Sequence, residues 1–364
     1  MEVKALDEWN LGLTALITIG YQLFFFSIAY GCQFDLLTDL AGGTNFALLS
    51  LITLFFSEDP HPRRILASAL LTLWALRLSA FLFYRILKTG HDTRFDGMRH
   101  RFFAFLTFWI FQMMWVWAVS LPVTLGNSAA VAAAARRAGG EEAFGTAGDV
   151  AGVVMFGVGF LVEVVADGQR YAFRRRHGGG SAAVCEGGLW RFSRHPNYFG
   201  DILAQFGIYT ISTSSATTLP ASASGPLYAS IVGPLFITLL LLFLSGLPLS
   251  ERPVAKRRYE LDLGWDAYEA YLRRTSPLFP FPPGLYERVP VWLKRTLFLE
   301  FPMYVFEPGR DSKIGKGEGR AKEGGKESGE GGQESGEGGQ ESGDEGSDQG
   351  SGNGAREVTE ARAE

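Results

Sequence analysis

The residues best suited to chemistry lie in one short segment, Gly187–Asp201, which reads GGLWRFSRHPNYFGD. It places two arginines, a histidine, an asparagine, an aspartate, a tyrosine and a tryptophan immediately before an apolar run, Ile202–Ile211. A dense polar cluster at the start of a membrane-length segment is costly unless it binds something. We call Gly187–Asp201 the signature segment.

The residue types in the signature segment predict an anionic ligand. Arginine presents a rigid fork of N–H donors that suits phosphate oxygens. His195 precedes Pro196, which favours an extended backbone, and a helix that begins near Asn197 would point backbone N–H groups at an anion. Because Arg194 and Asp201 are close by, we expect His195 to belong to a site for a phosphorylated or adenosyl ligand.

Several other kinds of site are not expected. His195 and Asp201 have no second histidine or cysteine nearby that would complete a metal site. Cys32 and Cys185 are the only cysteines and suggest neither a disulfide framework nor a zinc ribbon. The G-x-G of Gly157–Gly159 lies inside an apolar segment with no preceding strand, so it indicates helix packing. Without a P-loop or zinc-finger spacing, nucleic-acid binding is not expected.

A second polar set, Glu163, Asp167, Gln169, Arg170 and Arg174, lies upstream of the signature segment. Glu163 and Asp167 are four residues apart and would share one face of a helix. Two interpretations are open. The acids either pair with Arg170 and Arg174 on the same helix, or they form a ribose- or amide-binding edge beside the arginines.

Helices that cross a membrane must position these residues. Crossing requires roughly 17–25 predominantly apolar residues, and Phe46–Phe56 reaches that length only if it extends back through Gly42–Gly43. We predict an all-α polytopic membrane protein with six to seven transmembrane helices, and we favour seven. The apolar segments are Leu11–Tyr30, Phe46–Phe56, Ile65–Leu87, Phe102–Leu125, Val150–Ala166, Tyr198–Ser214 and Leu227–Leu249.

The distribution of lysine and arginine predicts the orientation of these helices. With seven helices, most of the basic residues fall on the side of the signature segment, and the positive-inside rule places that side in the cytosol. The alternative is that these arginines only set the topology. Arg77 lies deep in the third apolar segment, where a buried arginine is expected to face a cavity or a partner.

Polar residues dominate the chain after the last apolar segment. Tyr268 and Tyr271 belong to a short amphipathic helix that serves either as an interfacial anchor or as a lid over a cofactor. We assign residues 1–310 to the membrane domain and residues 311–364 to a disordered Gly/Glu-rich tail. The tail repeats a seven-residue unit that contains no apolar residue, so the repeat is not a coiled coil. Its acidic excess accounts for the net charge of −4.

The signature segment resembles that of the steroid 5α-reductase-like membrane oxidoreductases, and it is most similar to a branch known as a domain of unknown function. Three further stretches resemble the same branch: LWALRLSAFLFYRILKTGHDTRFDGMR, FWIFQMMWVWAVSLPV and GFLVEVVADGQRYAF. The resemblance covers roughly residues 10–285. It implies a helical protein of the endoplasmic reticulum or a bacterial membrane that binds NADPH from the cytosolic side. Its hydrophobic small-molecule substrate would be a steroid, sterol or enoyl thioester with a reducible carbon–carbon double bond.

The resemblance also implies roles for individual residues. The adenosine, ribose and phosphate parts of NADPH would be held by Glu163, Asp167, Arg170 and Arg174. The nicotinamide half would contact Asn197, Tyr198 and Asp201. A C-terminal lid would contain Arg257, Arg258, Tyr268 and Tyr271. Arg194 would add a further cofactor contact, and the proton that completes the reduction would come from Tyr198 or His195.

Two alternatives stay open at this point. The isoprenylcysteine carboxyl methyltransferases bind S-adenosylmethionine and share an RHPxYxG pattern that Arg194–Gly200 matches, although the many arginines favour a phosphorylated cofactor. The other alternative is a membrane protein that keeps this fold but catalyses no reaction. The chain also departs from the reductases, because Gln205 stands where relatives often have tryptophan and Trp74 falls near their expected tyrosine. No protein partner is predicted.

Overall fold

The computed structural model describes residues 7–33, 37–57, 61–89, 95, 97–178 and 181–312. Across these residues the chain forms helices and turns, and its only extended pairing is one isolated bridge between Ser193 and Ser276. The prediction of an all-α protein is confirmed. The tail predicted for residues 311–364 lies outside the described residues from residue 313 onwards.

The helices up to Leu239 include every long helix of the described chain. In chain order they are α1 (Leu11–Gly31), α2 (Leu37–Phe55), α3 (Pro62–Thr89), α4 (Phe102–Gly126), α5 (Ala129–Arg137), α6 (Ala147–His177), α7 (Pro196–Thr213), α8 (Ala221–Ala229) and α9 (Val232–Leu239). A π-helix, Leu240–Leu244, continues α9. The short helices that follow are α10 (Leu247–Ser250), α11 (Arg252–Glu260), α12 (Trp265–Arg274), α13 (Pro283–Tyr286), α14 (Val291–Thr296) and α15 (Pro308–Asp311).

Six helical regions of the described chain are long and apolar enough to cross a membrane. They mark the protein as an integral membrane protein whose surroundings are a lipid bilayer. The prediction of six to seven transmembrane helices is confirmed. The six regions are Leu11–Gly31, Leu37–Phe55, Pro62–Lys88, Phe102–Arg137, Ala147–His177 and Ala221–Glu260.

The helix α7 is not among these six, yet it runs antiparallel to α6 along its whole length. Gly200 lies against Gly159 near one end, and Ser214 Oγ donates to Asp149 Oδ1 at 2.5 Å at the other. α7 therefore lies along α6 from Gly159 to Asp149. The sequence favours α7 as a seventh crossing, but it is not among the six apolar regions.

Glycines allow α6 and α7 to approach each other closely. A Cβ atom on Gly159 would lie 2.5 Å from the carbonyl oxygen of Gly200, and one on Gly207 would lie 2.7 Å from that of Gly152. Side chains do not fit at such distances, so these positions require glycine. The interpretation of the G-x-G as helix packing is confirmed for Gly159, whereas Gly157 has no atom within 4 Å of a Cβ.

The helix α2 is longer than its apolar segment because its polar first half is packed between neighbours. A Cβ on Gly43 would lie 1.9 Å from Ser79 Oγ of α3, and one on Gly42 would lie 3.1 Å from the amide of Gln112 in α4. Gln112 Nε2 in turn donates to Gln22 Oε1 of α1 at 2.9 Å. The extension through Gly42–Gly43 that a second crossing requires is therefore present.

The last apolar segment, Leu227–Leu249, is not the single regular helix that its composition predicts. α8 ends at Ala229, and α9 passes at Leu239 into the π-helix. The hydroxyl of Tyr304 donates to the carbonyl oxygen of Leu242 inside that π-helix. Aliphatic composition does not reveal this change, because the supporting residue lies 62 positions downstream.

A buried ion-pair cluster closes the end of the domain opposite the signature segment. Arg63 at the start of α3 donates to both oxygens of Asp149 in α6, at 2.8 Å each, and to Glu141 at 3.0 Å. Arg64 donates to the second oxygen of Glu141 at 2.8 Å. Since water is excluded here, each charge depends on its partner, and the cluster ties α3 to α6.

Candidate functional site

The signature segment folds into a short turn followed by the start of α7. Gly188–Arg191 forms a 3₁₀ turn, and α7 begins at Pro196, where a missing N–H costs nothing. Gly188 has a positive φ of 60°, and a Cβ there would lie 2.3 Å from Gln169 of α6. Leu189 N donates to Gln169 Oε1 at 2.9 Å. The turn is thus fixed to α6 by a position that only glycine fits.

The chain that follows α12 braces the signature segment from behind. Arg194 N donates to Ser276 O at 2.8 Å, and Ser193 Oγ donates to Leu278 O at 2.7 Å. The hydroxyl of Tyr271 in α12 donates to the carbonyl oxygen of an earlier signature residue at 2.8 Å. These contacts hold the backbone of the signature segment from both sides.

Arg194 and His195 belong to a buried network of charges. Arg194 Nη1 donates to Glu251 Oε2 at 2.5 Å, and Nη2 donates to Glu300. His195 Nε2 lies 2.5 Å from the other oxygen of Glu251, and the Tyr286 hydroxyl donates to Glu300 at 3.0 Å. The guanidinium predicted to contact a cofactor is therefore already held by two carboxylates.

The surroundings of this network set the protonation of both residues. Burial lowers the pKa of His195 more than the neighbouring Glu251 raises it, so the ring is neutral at neutral pH. Burial alone would lower the pKa of Arg194, but Glu251 and Glu300 raise it above its usual range. With its Nε2–H donated to Glu251, the neutral His195 keeps Nδ1 as an acceptor, and that buried atom has no hydrogen-bond partner among the described residues.

An arginine-rich cleft opens beside His195 and has a volume of about 170 Å³. The guanidinium of Arg170 lies over the ring of Trp190 at 4.6 Å. Glu251 is the sole carboxylate among the described residues that line the cleft, and it is engaged by the network above. The basic and aromatic lining residues are Arg170, Arg174, Arg194, Arg257, Arg258, Phe173, Trp190, Tyr268 and Tyr271.

Two of the predicted lid residues have structural contacts of their own. Arg258 donates to Ala183 O at 2.8 Å and to Leu263 O at 2.9 Å, so it fixes the connection after α6 against the end of α11. Its guanidinium lies 4.7 Å from the centre of the Tyr268 ring. Burial raises the pKa of Tyr268, and that hydroxyl stays protonated at neutral pH.

A second, larger cavity of about 470 Å³ lies between the membrane helices. Its walls come from α3, α4 and the π-helix. Polar groups gather at its inner end, from α6 and α7. The apolar lining residues are Leu78, Phe81, Leu82, Phe108, Phe111, Trp115, Leu240, Leu241 and Leu244, and the polar ones at the inner end are Glu163, Asp167, Asn197 and Asp201.

Arg77 of α3 pairs with the two acids of α6. Its Nη1 donates to Glu163 Oε1 at 2.5 Å and its Nη2 to Asp167 Oδ2 at 2.6 Å. Asn197 Nδ2 donates to the other oxygen of Asp167 at 3.2 Å. Arg77 thus has the partners expected of an arginine deep in an apolar segment. Glu163 and Asp167 pair with Arg77, whereas their spacing had suggested ion pairs within α6.

The structure divides the residues predicted for one cofactor site between the cleft and the cavity. Tyr198 lines the cavity, and its ring stacks on that of His195 with centroids 4.9 Å apart and planes 6° from parallel. The two sites therefore meet at this pair. The predicted residues that line the cleft are Arg170, Arg174, Arg194, His195, Arg257, Arg258, Tyr268 and Tyr271; those that line the cavity are Glu163, Asp167, Asn197, Tyr198 and Asp201.

Three contributors were not assigned to the site from the sequence. Glu251 holds both Arg194 and His195, Glu300 holds Arg194, and Arg77 organises the inner end of the cavity. Glu251 and Arg77 each carry a weak sequence signal, because a charge stands at the edge of or inside an apolar segment. Glu300 stands alone among apolar residues, between Leu299 and Phe301, in a segment to which the sequence assigns no function.

The comparison with protein families covers the residues of the cleft and the cavity. Residues 25–275 match the family described as Protein of unknown function (DUF1295). The chain belongs to this family. No curated protein and no solved structure matches it. The DUF1295 region contains the cavity lining and all of the residues predicted for the site, but it ends before Tyr286 and Glu300, so the brace behind Arg194 lies partly outside it.

Proposed function

We propose that this protein is a membrane oxidoreductase that uses NADPH to reduce a carbon–carbon double bond in a lipid-like substrate. The observation that carries the proposal is the meeting of an arginine-rich cleft with an apolar membrane cavity at the stacked His195 and Tyr198. A phosphorylated cofactor suits the arginine-rich cleft, and a lipid suits the apolar cavity. The resemblance of the signature segment to the steroid 5α-reductase-like enzymes supplies the reaction class.

The cleft residues fit the phosphate-bearing part of NADPH. Arg170, Arg174 and Arg257 present guanidinium groups to it, and Trp190 and Tyr268 present aromatic faces. Its volume of about 170 Å³ is below the roughly 300–1,000 Å³ of common ligand sites, so only part of a dinucleotide would lie there. The remainder would extend past His195 towards the cavity. NADPH, when bound, supplies a hydride.

The cavity residues suit the reacting part of a lipid. Apolar walls exclude water, which strengthens the electrostatic effect of the few polar groups at the inner end. Asn197 and Tyr198 at the start of α7 would orient the reacting groups, and Asp167 in turn fixes Asn197 at 3.2 Å. His195 would act on Tyr198 through their stacked rings. The substrate would enter from the bilayer.

The orientation that accompanies this proposal places the cleft in the cytosol, where NADPH is available. The connections around the cleft carry most of the basic residues, as the positive-inside rule requires. The membrane would be that of the endoplasmic reticulum, as the resemblance implies.

The decisive experiment is direct binding of NADPH, NADH and S-adenosylmethionine to the purified full chain in detergent. We expect micromolar binding of NADPH, with at least a tenfold loss in Arg174→Ala, because a phosphate contact in the cleft is removed, and a similar loss in Asn197→Ala. Arg137→Ala is the matched control, since Arg137 is an exposed arginine at the opposite end of the domain. Equal binding in all variants would contradict the placement of the cofactor.

One observation favours a second candidate function, that of a methyltransferase. The inner end of the cavity holds three carboxyl groups, and two of them pair with Arg77. This excess of acid among the described residues suits a sulfonium cation. Binding of S-adenosylmethionine without NADPH would replace the reductase proposal by this one. Absence of binding by all three ligands to a folded sample would favour a membrane protein without catalysis.

A further inference from the structure

The inner end of the membrane cavity contains more carboxyl groups than its positive charge can balance. Glu163, Asp167 and Asp201 all line it, and Arg77 forms ion pairs with Glu163 and Asp167. A second arginine at the cavity, Arg85, lies 3.9 Å from an aspartate of its own on α2. Counted over the described residues, two carboxyl groups at the inner end are therefore left without a matching positive charge.

The hydrogen bonds show which carboxyl groups are fully paired. Asp167 uses one oxygen for Arg77 at 2.6 Å and the other for Asn197 at 3.2 Å. Glu163 uses Oε1 for Arg77 at 2.5 Å, but its buried Oε2 has no hydrogen-bond partner among the described residues. The same holds for the buried Oδ1 of Asp201. The unmatched oxygens thus belong to Glu163 and Asp201.

These two carboxyl groups are neighbours. Both side chains line the inner end of the cavity, Glu163 from α6 and Asp201 from α7. The packing of Gly200 against Glu163 brings the start of α7 to this turn of α6, because a Cβ on Gly200 would lie 3.0 Å from the Cβ of Glu163. Glu163 is 3 % exposed, so water does not separate its charge from those around it.

Two adjacent carboxylates in a site of low dielectric do not both stay ionised, because the repulsion between them is not screened. A single proton removes one charge and creates an O–H donor for an unmatched oxygen. The described residues hold no group of three His, Cys, Asp or Glu side chains arranged for a metal ion. A proton is thus the simplest group that satisfies both the charge and the hydrogen bonds.

We propose that Glu163 and Asp201 share one proton, and that this carboxyl pair is the acid that completes a reduction in the membrane cavity. The catalytic part rests on the proposed function. As the double bond of the substrate accepts a hydride at one carbon, its π electrons form a C–H bond at the other carbon with the proton of the pair. The carboxyl O–H bond breaks, its electrons stay on oxygen, and the ionised pair later regains a proton from water.

The chain favours this pair over the other acids at the site. His195 lines the cleft and not the cavity, and burial favours its neutral form. Trp74 stands near the position expected of the reductase tyrosine, and an indole N–H donates a hydrogen bond without losing its proton. Tyr198 lines the cavity, but a phenol is by nature a weaker acid than a carboxylic acid. Arg77 remains beside Glu163 and stabilises the charge that forms when the proton leaves.

The shared proton is tested without any cofactor, by infrared spectroscopy of the full chain in detergent at neutral pH. A protonated carboxylic acid gives a C=O stretch at higher frequency than carboxylates and amides, and it shifts in heavy water. We expect this band in the wild-type protein and its loss in both Glu163→Gln and Asp201→Asn. Glu142→Gln is the control, because Glu142 is an exposed acid at the opposite end. A missing wild-type band, or a band that persists in both variants, overturns the proposal.

The catalytic part is tested by turnover of NADPH with a lipid enone. We expect Glu163→Gln to lower kcat by at least about 100-fold, as loss of a general acid does, and Tyr198→Phe to lower it less. A larger loss in Tyr198→Phe would transfer the acid role to the tyrosine. If the infrared band is present but the wild-type protein reduces no enone and binds no NADPH, the proposed function fails and the shared proton stands.

Discussion

At the scale of single residues, the pairing of His195 with Glu251 controls what the signature segment can do. The ring is 3 % exposed, it donates Nε2–H to Glu251, and it stacks on Tyr198. Its remaining nitrogen, Nδ1, is a buried acceptor without a hydrogen-bond partner among the described residues, and the neutral ring adds no positive charge beside the arginines of the cleft. A phosphorylated ligand would meet the positive charge of Arg170 and Arg174 beside a neutral histidine.

The buried histidine predicts how stability depends on pH. Burial lowers the pKa of His195 in the folded protein, so the unfolded chain binds this proton more readily. Stability is then complete above the ordinary histidine pKa of about 6.5 and decreases as pH falls below it. We expect the Tm in detergent to decrease over this range in the wild type and to decrease less in His195→Asn. The control is His177→Asn, at an exposed histidine that ends α6, and it should keep the wild-type dependence of Tm on pH. The same dependence in all three proteins would argue against a neutral buried ring at His195.

At the scale of helices, the contact between α6 and α7 sets the inner end of the cavity, because it carries Glu163 on one helix and Asp201 on the other. That contact depends on glycine. We expect Gly159→Ala to destabilise the protein by about 1–3 kcal/mol, since its methyl group would meet the backbone of Gly200 at 2.5 Å. Gly157→Ala is the matched control in the same helix, with open space around it. Thermal unfolding in detergent measures both, and a similar loss in the two variants would contradict the close packing.

The ion-pair cluster at the opposite end makes a second prediction for the helices. Arg63 is 1 % exposed and holds both oxygens of Asp149. Arg63→Met should cost about 3–5 kcal/mol, because it leaves a buried carboxylate without its partner, whereas Arg137→Met at an exposed position should cost little. A further Asp149→Leu change should recover part of the loss by removing the stranded charge. No recovery in the double variant would show that the cost arises elsewhere.

The helices themselves could be predicted from the sequence, but the partners of their polar residues could not. Hydropathy is a local property, so it located the apolar part of each long helix, whereas the extension of α2 through Gly42–Gly43 depends on the packing of a polar stretch. The partner of Glu163 is Arg77, 86 positions upstream, and sequence spacing offered only the nearer arginines of α6. The division of the site into a cleft and a cavity likewise depends on how α3 and α7 pack. Glu300 is a single charge in an apolar stretch, but its partner Arg194 lies 106 positions upstream, so its sequence neighbours do not reveal the pair.

At the scale of the whole molecule, the two ends of the membrane domain differ in how their charged residues are arranged. Tyr84 near the end of α3 meets Tyr171 near the end of α6, and Tyr30 at the end of α1 packs on Phe102 at the start of α4. These contacts place the end of α1 on the side of the signature segment. The ion-pair cluster of Arg63 occupies the other side. One end is thus open and basic at the cleft, and the other is closed by paired charges.

This arrangement predicts which positions face the same side of a membrane. Cys32 is exposed and follows α1, so it lies on the signature side. Ala138 follows α5 and Thr217 lies between α7 and α8. Both are exposed, and both belong to the opposite side if α7 crosses. In vesicles whose cytosolic face points outwards, an impermeant maleimide should label Cys32. It should label Ala138→Cys and Thr217→Cys, each in a Cys32→Ser and Cys185→Ser background, only after detergent is added.

Each departure from this labelling pattern has a distinct meaning. Labelling of Thr217→Cys together with Cys32 would mean that α7 does not cross, despite its antiparallel contact with α6 from Gly200 to Ser214. Reversal of all three positions would keep seven crossings but place the arginine-rich cleft away from the cytosolic NADPH. Equal labelling of Thr217→Cys and Ala138→Cys tests whether α7 crosses the membrane. The side on which Cys32 reacts tests whether the cleft faces the cytosol, where NADPH is available. A single labelling series therefore separates the architecture of the domain from its proposed role.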